Sequence, residues 1–314
     1  MKRAEHVLPE LRKIMEGFPV VDLRNPQIPE GFEMPKIERS PLVKTSERKI
    51  TGPESEIRVK IYEPAGRTEA LLPALLWIHG GGYVLGSLDI DDGLCEQFVI
   101  AANCVTVSVD YRLAPEYPYP AAIEDCYAAL KWMVNEADKL CINTSKVAVA
   151  GASAGGGLTA ALALLARDRG EVKIAFQMPL YPMLDDRNTT PSSYEINKEN
   201  FPRLWNREQN RLAWSMYLGS SVADEVPGYA APARARDLTG LPPAYTCIGV
   251  LDLFRDETIE YVNRLAQADV PVEFHLYPGC FHGFETIFND TEIGKRARNE
   301  YINALADALN KPED

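Results

Sequence analysis

The sequence predicts an α/β protein with a mostly parallel central sheet and helices on both faces. Three observations predict it. From residue 56 onward, strand-like and helix-like segments alternate along the chain. Pro73-Ala74-Leu75-Leu76-Trp77-Ile78 is an unbroken apolar run, as expected of a strand covered on both faces. Glycine-rich turns follow two of the strand-like runs, at His79-Gly80-Gly81-Gly82 and at Gly151-Ala152-Ser153-Ala154-Gly155. In open sheets of this kind, ligands sit beyond the carboxyl ends of the strands.

Taken in order, the expected strands are 56–62, 74–78, 104–110, 146–150, 174–180, 244–250 and 272–277. The fourth, Lys146-Val147-Ala148-Val149-Ala150, is apolar and runs directly into the serine-bearing turn. The last, Val272-Glu273-Phe274-His275-Leu276-Tyr277, alternates in the manner of a half-covered strand. Helices are expected over 121–139, 154–169, 257–268 and 293–309. The second of these contains Gly156-Gly157-Leu158-Thr159-Ala160-Ala161-Leu162 and reads as buried.

Two regions break the alternation. Residues 1–45 begin with a charged amphipathic stretch and continue into a proline-rich connector, Asn25-Pro26-Gln27-Ile28-Pro29-Glu30. Residues 185–230 are polar but carry Phe201, Trp205, Trp214 and Tyr217. Trp214, Tyr217 and Leu218 fall at helical spacing, which points to packing. The expected organisation is an N-terminal cap segment (1–45), a core in two parts (46–184 and 231–314) and a cap insertion (185–230) between them. Of the aromatic residues, Tyr83, Trp205, Trp214 and Phe284 are candidates to line a substrate pocket, because pockets are largely apolar and aromatic.

The most specific chemical signal is Gly151-Ala152-Ser153-Ala154-Gly155. A Gly-x-Ser-x-Gly between a strand and a helix is a nucleophile elbow, a sharp turn that projects the serine hydroxyl. A serine needs a base, and the chain has four histidines: His6, His79, His275 and His282. His6 lies in a charged N-terminal segment, and His275 sits within a strand. His79 opens the triple-glycine turn. His282, in Gly279-Cys280-Phe281-His282-Gly283-Phe284, follows a strand end in a loop and is the base by elimination. The carboxylate partner should fall between serine and histidine. Asp252 follows the apolar run Ala244-Tyr245-Thr246-Cys247-Ile248 where a strand ends. Asp256 competes, although its place before Glu257-Thr258-Ile259 also suits a helix cap or first turn. Ser153, Asp252 and His282 each fall just after an expected strand.

His79-Gly80-Gly81-Gly82-Tyr83 lies about 70 residues before the elbow. Consecutive glycines let backbone N–H groups converge on one point. Gly81 and Gly82, joined by the N–H of Ala154, are candidates to receive the oxyanion formed when a serine attacks an acyl carbonyl. The stretch lacks the Gly-x-Gly-x-x-Gly spacing and the lysine of a nucleotide site.

Together with Asp110-Tyr111-Arg112-Leu113-Ala114-Pro115-Glu116, Ala121-Ala122-Ile123-Glu124-Asp125, Arg255-Asp256 and His282-Gly283-Phe284, these motifs resemble the hormone-sensitive-lipase-like branch of the α/β-hydrolase esterases. The resemblance runs from about residue 45 to about residue 310. It implies an α/β-hydrolase fold and a Ser153–His282–Asp252 triad under a helical cap. It also implies hydrolysis of short- to medium-chain acyl esters without a cofactor. The family commonly forms dimers, and no stretch of this chain singles out a homodimer interface. One departure stands at Ala152, where the family commonly carries an acidic residue or threonine. Arg112 and Glu116 are expected to form ion pairs that hold their loop. Other acyl bonds, such as amides, lactones or acetylated sugars, share this chemistry. A non-catalytic binding protein on the same fold is a further alternative, because fold does not fix function.

The expected partner is a small-molecule ester substrate, which composition by itself does not identify. The 314 residues carry a net charge of −12, which disfavours nucleic acid and anionic membranes. No apolar run reaches the ~18 residues of a membrane span, and the N-terminus lacks the apolar core of a signal peptide. A cytoplasmic location is therefore expected. The six cysteines include no Cys-x-x-Cys pair, so neither a structural disulfide nor a metal site is expected.

Overall fold

The computed structural model describes residues 3–18, 20, 22–24, 39–68, 70–219, 225–285 and 290–311. The proline-rich connector at 25–30 lies outside them. The strands are β1 (Val43–Thr51), β2 (Glu56–Pro64), β3 (Leu72–Ile78), β4 (Val105–Val109), β5 (Ile142–Ala152), β6 (Phe176–Leu180), β7 (Ala244–Leu251) and β8 (Val272–Phe281). The helices are α1 (Pro9–Gly17), α2 (Asp92–Ala102), α3 (Ala121–Asn135), α4 (Ala137–Leu140), α5 (Ala154–Arg169), α6 (Pro191–Glu195), α7 (Arg207–Leu218), α8 (Arg255–Gln267) and α9 (Glu292–Asn310).

The strands form one sheet in the order β1-β2-β4-β3-β5-β6-β7-β8. β1 and β2 pair antiparallel, as do β2 and β4. Every pairing from β4 to β8 is parallel. β3, β4 and β6 are buried along their whole length; β3 is apolar throughout, as a strand covered on both faces can be, while β4 and β6 also bury Thr106, Ser108 and Gln177. α5 lies against the middle of the sheet and is buried from Ala154 to Ala166.

Each strand expected from the sequence has a counterpart. β1 is additional. Its sequence, Val-Lys-Thr-Ser-Glu-Arg-Lys-Ile-Thr, is polar because it forms the sheet edge and buries only Ile50. Residue 45, the expected end of the N-terminal segment, falls inside this strand. α2 is also additional; its buried Leu94, Cys95, Phe98, Val99 and Ala102 follow helical spacing. The helix expected over 121–139 is divided into α3 and α4 at Glu136. Arg112 pairs with Asp125 through Nε and Nη2, both at 2.9 Å, and with Glu54 rather than with the exposed Glu116.

The two irregular regions are fastened to the functional end of the sheet. The Leu8 N–H donates to the Gly279 carbonyl at 3.0 Å, and Phe18 meets Phe281 edge-on at 6.0 Å between centroids. α6 is tied to the segment after β7: the Ser192 N–H donates to Asp256 Oδ2 at 2.6 Å, and the Ser192 hydroxyl donates to the Leu253 carbonyl at 2.8 Å. α7 begins with a capping box between Asn206 and Gln209. The Arg203 guanidinium donates to the Phe18 carbonyl, joining the two regions. Among the described residues, no helix is long and apolar enough to cross a membrane.

Candidate active site

β5 ends at Ala152 and α5 begins at Ala154, leaving Ser153 at the corner with φ +57° and ψ −115°. A non-glycine residue in this region carries about 1–3 kcal/mol of strain and persists only where its surroundings hold it. They do so at both ends. The Ser153 N–H donates to the Leu180 carbonyl at 2.9 Å. Its own carbonyl accepts from Gly157 at 2.9 Å and from Met183 at 3.0 Å. The flanking glycines make the corner possible: a Cβ on Gly155 would lie 2.0 Å from the Ile78 carbonyl oxygen, and one on Gly151 would lie 2.5 Å from that of Gly155. Both obstacles are backbone and cannot swing aside. Gly155→Ala is therefore expected to destabilise the protein by about 3 kcal/mol or more, the upper part of the overpacking range. Urea unfolding checks this, and a wild-type midpoint would contradict it.

The residues singled out by sequence meet at this corner. The Ser153 hydroxyl oxygen lies 2.8 Å from His282 Nε2. His282 Nδ1 lies 2.7 Å from Asp252 Oδ2. Asp252 is fully buried, and its other oxygen accepts the Phe254 N–H at 2.9 Å. Tyr181 and Phe254 meet the imidazole edge-on, each with centroids 5.2 Å away, and restrict its rotation. Asp256 stands apart from the imidazole. It accepts from Arg255 Nε at 2.7 Å as well as from Ser192, so it anchors α6. His275 lies on β8, 2.8 Å from Glu273 Oε1.

The triple-glycine turn passes over the serine. A Cβ on Gly80 would come within 3.5 Å of the Ser153 Cβ. Gly81 and Gly82 adopt φ of +117° and +62°, which only glycine accepts readily. Ala154 is the first residue of α5, where an N–H has no intrahelical acceptor. His79 sets the turn in place. It is buried, stacks on Tyr111 at 4.2 Å and lies with Nδ1 2.8 Å from the Gly80 carbonyl. Burial lowers its pKa to about 4, so the ring is neutral and Nδ1–H donates to that carbonyl.

A cavity of about 400 Å³ opens onto Ser153, His282, Gly80, Gly81 and Gly82. Of the aromatics expected at a pocket, Trp205 lines it. Tyr83, Trp214 and Phe284 are not among its lining residues. Tyr83 is buried, stacks on Tyr217 at 3.9 Å and donates its hydroxyl to the Met183 carbonyl at 3.0 Å. Trp214 packs on the other side of Tyr83, with centroids 5.4 Å apart. Phe284 is buried against Tyr277. These three serve as core, and burial of their large rings accounts for their presence. Phe18, Asp91, Tyr181, Glu285 and Arg298 line the cavity without having been marked by the sequence. Glu285 lies three residues past His282, which was the available signal.

A family model described as alpha/beta hydrolase fold matches residues 75–286. The chain belongs to this family, in its hormone-sensitive-lipase-like branch. It is 36% identical over 307 residues to the esterase LipI of Mycobacterium tuberculosis, covering 95% of this chain and 93% of that one. It is 38% identical over 259 residues to the carboxylesterase NlhH of the same species, covering 81% of this chain and 79% of the relative. Among solved structures, a bacterial heroin esterase superposes with a TM-score of 0.89 at 36% identity, covering 98% of this chain and 99% of that one.

Proposed function

We propose that the protein is a serine carboxylesterase that hydrolyses short- to medium-chain acyl esters through an acyl-enzyme intermediate. The observation that carries this reading is the unbroken hydrogen-bond chain from Ser153 through His282 to Asp252 at the wall of a cavity. His282 Nε2 takes the hydroxyl proton as Ser153 Oγ forms a bond to the ester carbonyl carbon. Asp252 holds the proton of Nδ1 and stabilises the imidazolium. The N–H groups of Gly81, Gly82 and Ala154 receive the oxyanion. The imidazolium protonates the departing alkoxide, and the C–O bond breaks to leave acyl-serine. Water then attacks the acyl-serine with His282 again as base. Acid is released, and the proton returns to Ser153.

The two segments around the cavity, 1–45 and 185–230, act as its cap in this reading; Phe18 from the first and Trp205 from the second support it. The cavity volume lies at the small end of the roughly 300–1,000 Å³ range of ligand sites, which favours short acyl groups. Hydrolysis of a p-nitrophenyl series from acetate to palmitate is expected to peak at the short end and fall at the long chains. A maximum at palmitate would reject the proposed chain-length range. No turnover at any length from folded protein would reject the esterase reading.

A further inference from the structure

Beyond the proposed triad, the cavity wall carries two carboxyl groups that the acyl chemistry does not use. Asp91 stands immediately before α2, where an aspartate would ordinarily cap the helix. It makes no capping bond. Its Oδ2 accepts the Trp77 indole N–H at 2.9 Å, and the half-buried residue lines the cavity. Burial pushes its carboxyl up to about 6; the Trp77 bond opposes this and the neighbouring Asp92 adds to it. Glu285 is 1% exposed and lines the same cavity. Its Oε2 is buried without a hydrogen-bond partner among the described residues. Burial raises this carboxyl too, against the opposing pull of the Tyr181 hydroxyl and the nearby charge of Arg298.

The two arginines of the lining also hold backbone carbonyls, and Arg298 offsets part of the Glu285 charge. Arg298 Nη1 donates to the Glu285 backbone carbonyl at 2.6 Å, and the exposed Arg203 donates to the carbonyl of Phe18. Phe18, Trp77, Tyr181, Trp205 and Tyr301 supply aromatic rings to the same space. Carboxylates set among aromatic rings suit a cation, which the rings attract through their quadrupoles. A neutral hydroxyl could donate to Glu285 Oε2, but it would bring no positive charge to either carboxylate. A protonated amine answers both needs. The chain's net charge of −12 also favours the approach of cations.

We propose that Asp91 and Glu285 form a cation subsite in the substrate cavity, so that the enzyme prefers esters bearing a protonated aliphatic amine over neutral esters of the same shape. The inference rests on the esterase reading. Its test compares meta-(dimethylaminomethyl)phenyl acetate with its carbon isostere, meta-isobutylphenyl acetate, near neutral pH. The readout is the ratio of the two kcat/KM values within each protein, so a general loss of activity cancels. Wild type is expected to favour the amine by roughly tenfold, as expected for close charge complementarity. D91N and E285Q are each expected to bring the ratio toward one. A wild-type ratio near one, or a ratio unchanged in both variants, overturns the subsite. So does a stronger preference for the meta-hydroxymethyl analogue, which would make this a neutral hydrogen-bond site. Turnover of the neutral isostere reports the esterase reading separately. Calorimetric binding of benzyldimethylammonium against isobutylbenzene, in wild type and both variants, reads the subsite even without turnover. Equal binding of the two by wild type would overturn it.

Discussion

Replacing Ser153 with alanine is expected to lower kcat by roughly ten-thousand- to a million-fold while leaving the fold intact. The substitution removes one oxygen from a side chain whose backbone is held independently. The bonds from Ser153 to Leu180, Gly157 and Met183 all run through main-chain atoms, and alanine keeps each of them. The positive φ disfavours alanine no more than serine. The loss should therefore appear in turnover and not in the thermal midpoint. Parallel measurement of p-nitrophenyl acetate hydrolysis and thermal unfolding separates the two. A folded variant that retained a hundredth of wild-type kcat would remove Ser153 from the proposed role.

Asp252→Asn is expected to cost about ten-thousand-fold in kcat, through the tautomer of His282 rather than through its position. Asp252 Oδ1 accepts the Phe254 N–H. An asparagine side chain must keep its oxygen there, because its amide nitrogen cannot accept that bond. The NH2 group then faces His282 Nδ1, which becomes an acceptor, and the ring proton moves to Nε2. An imidazole protonated at Nε2 cannot take the Ser153 proton. Asp256→Asn provides the contrast. Asp256 faces Ser192 and Arg255, so this variant should keep most of its turnover and weaken the anchorage of α6. The reverse ranking of the two variants would exchange the roles given to the two aspartates.

The choice between these aspartates shows how far the sequence could be read. Asp252 ends a strand-like run and Asp256 starts a helix, and position alone favoured the first. The glycines of the elbow were legible for a similar reason, since close backbone approach leaves no alternative residue. The centre of the parallel sheet was legible because β3, buried on both faces, is apolar throughout. β1 was not, because an edge strand exposed along most of its length has no apolar pattern to display. α2 did carry a signal, its apolar residues recurring at helical spacing from Leu94 to Ala102. The pocket aromatics were the least legible. Trp205 and Trp214 belong to the same irregular region and have the same chemistry. Only tertiary packing sends one to the cavity and the other under Tyr83. Asp91 and Glu285 were hidden among 45 acidic residues, and only the nearness of Glu285 to His282 set one of them apart.

The seam between Phe18 and Arg203 joins positions 185 residues apart. One side of the cavity is thus supplied by residue 18 and the other by residue 203. The residues proposed to carry out the acyl chemistry lie on neither side of that seam. Substitutions at Phe18 or Arg203 can therefore reshape the doorway while the machinery within stays as it was. The two can diverge at different rates, so a lineage of such chains can explore new substrates without reinventing its reaction.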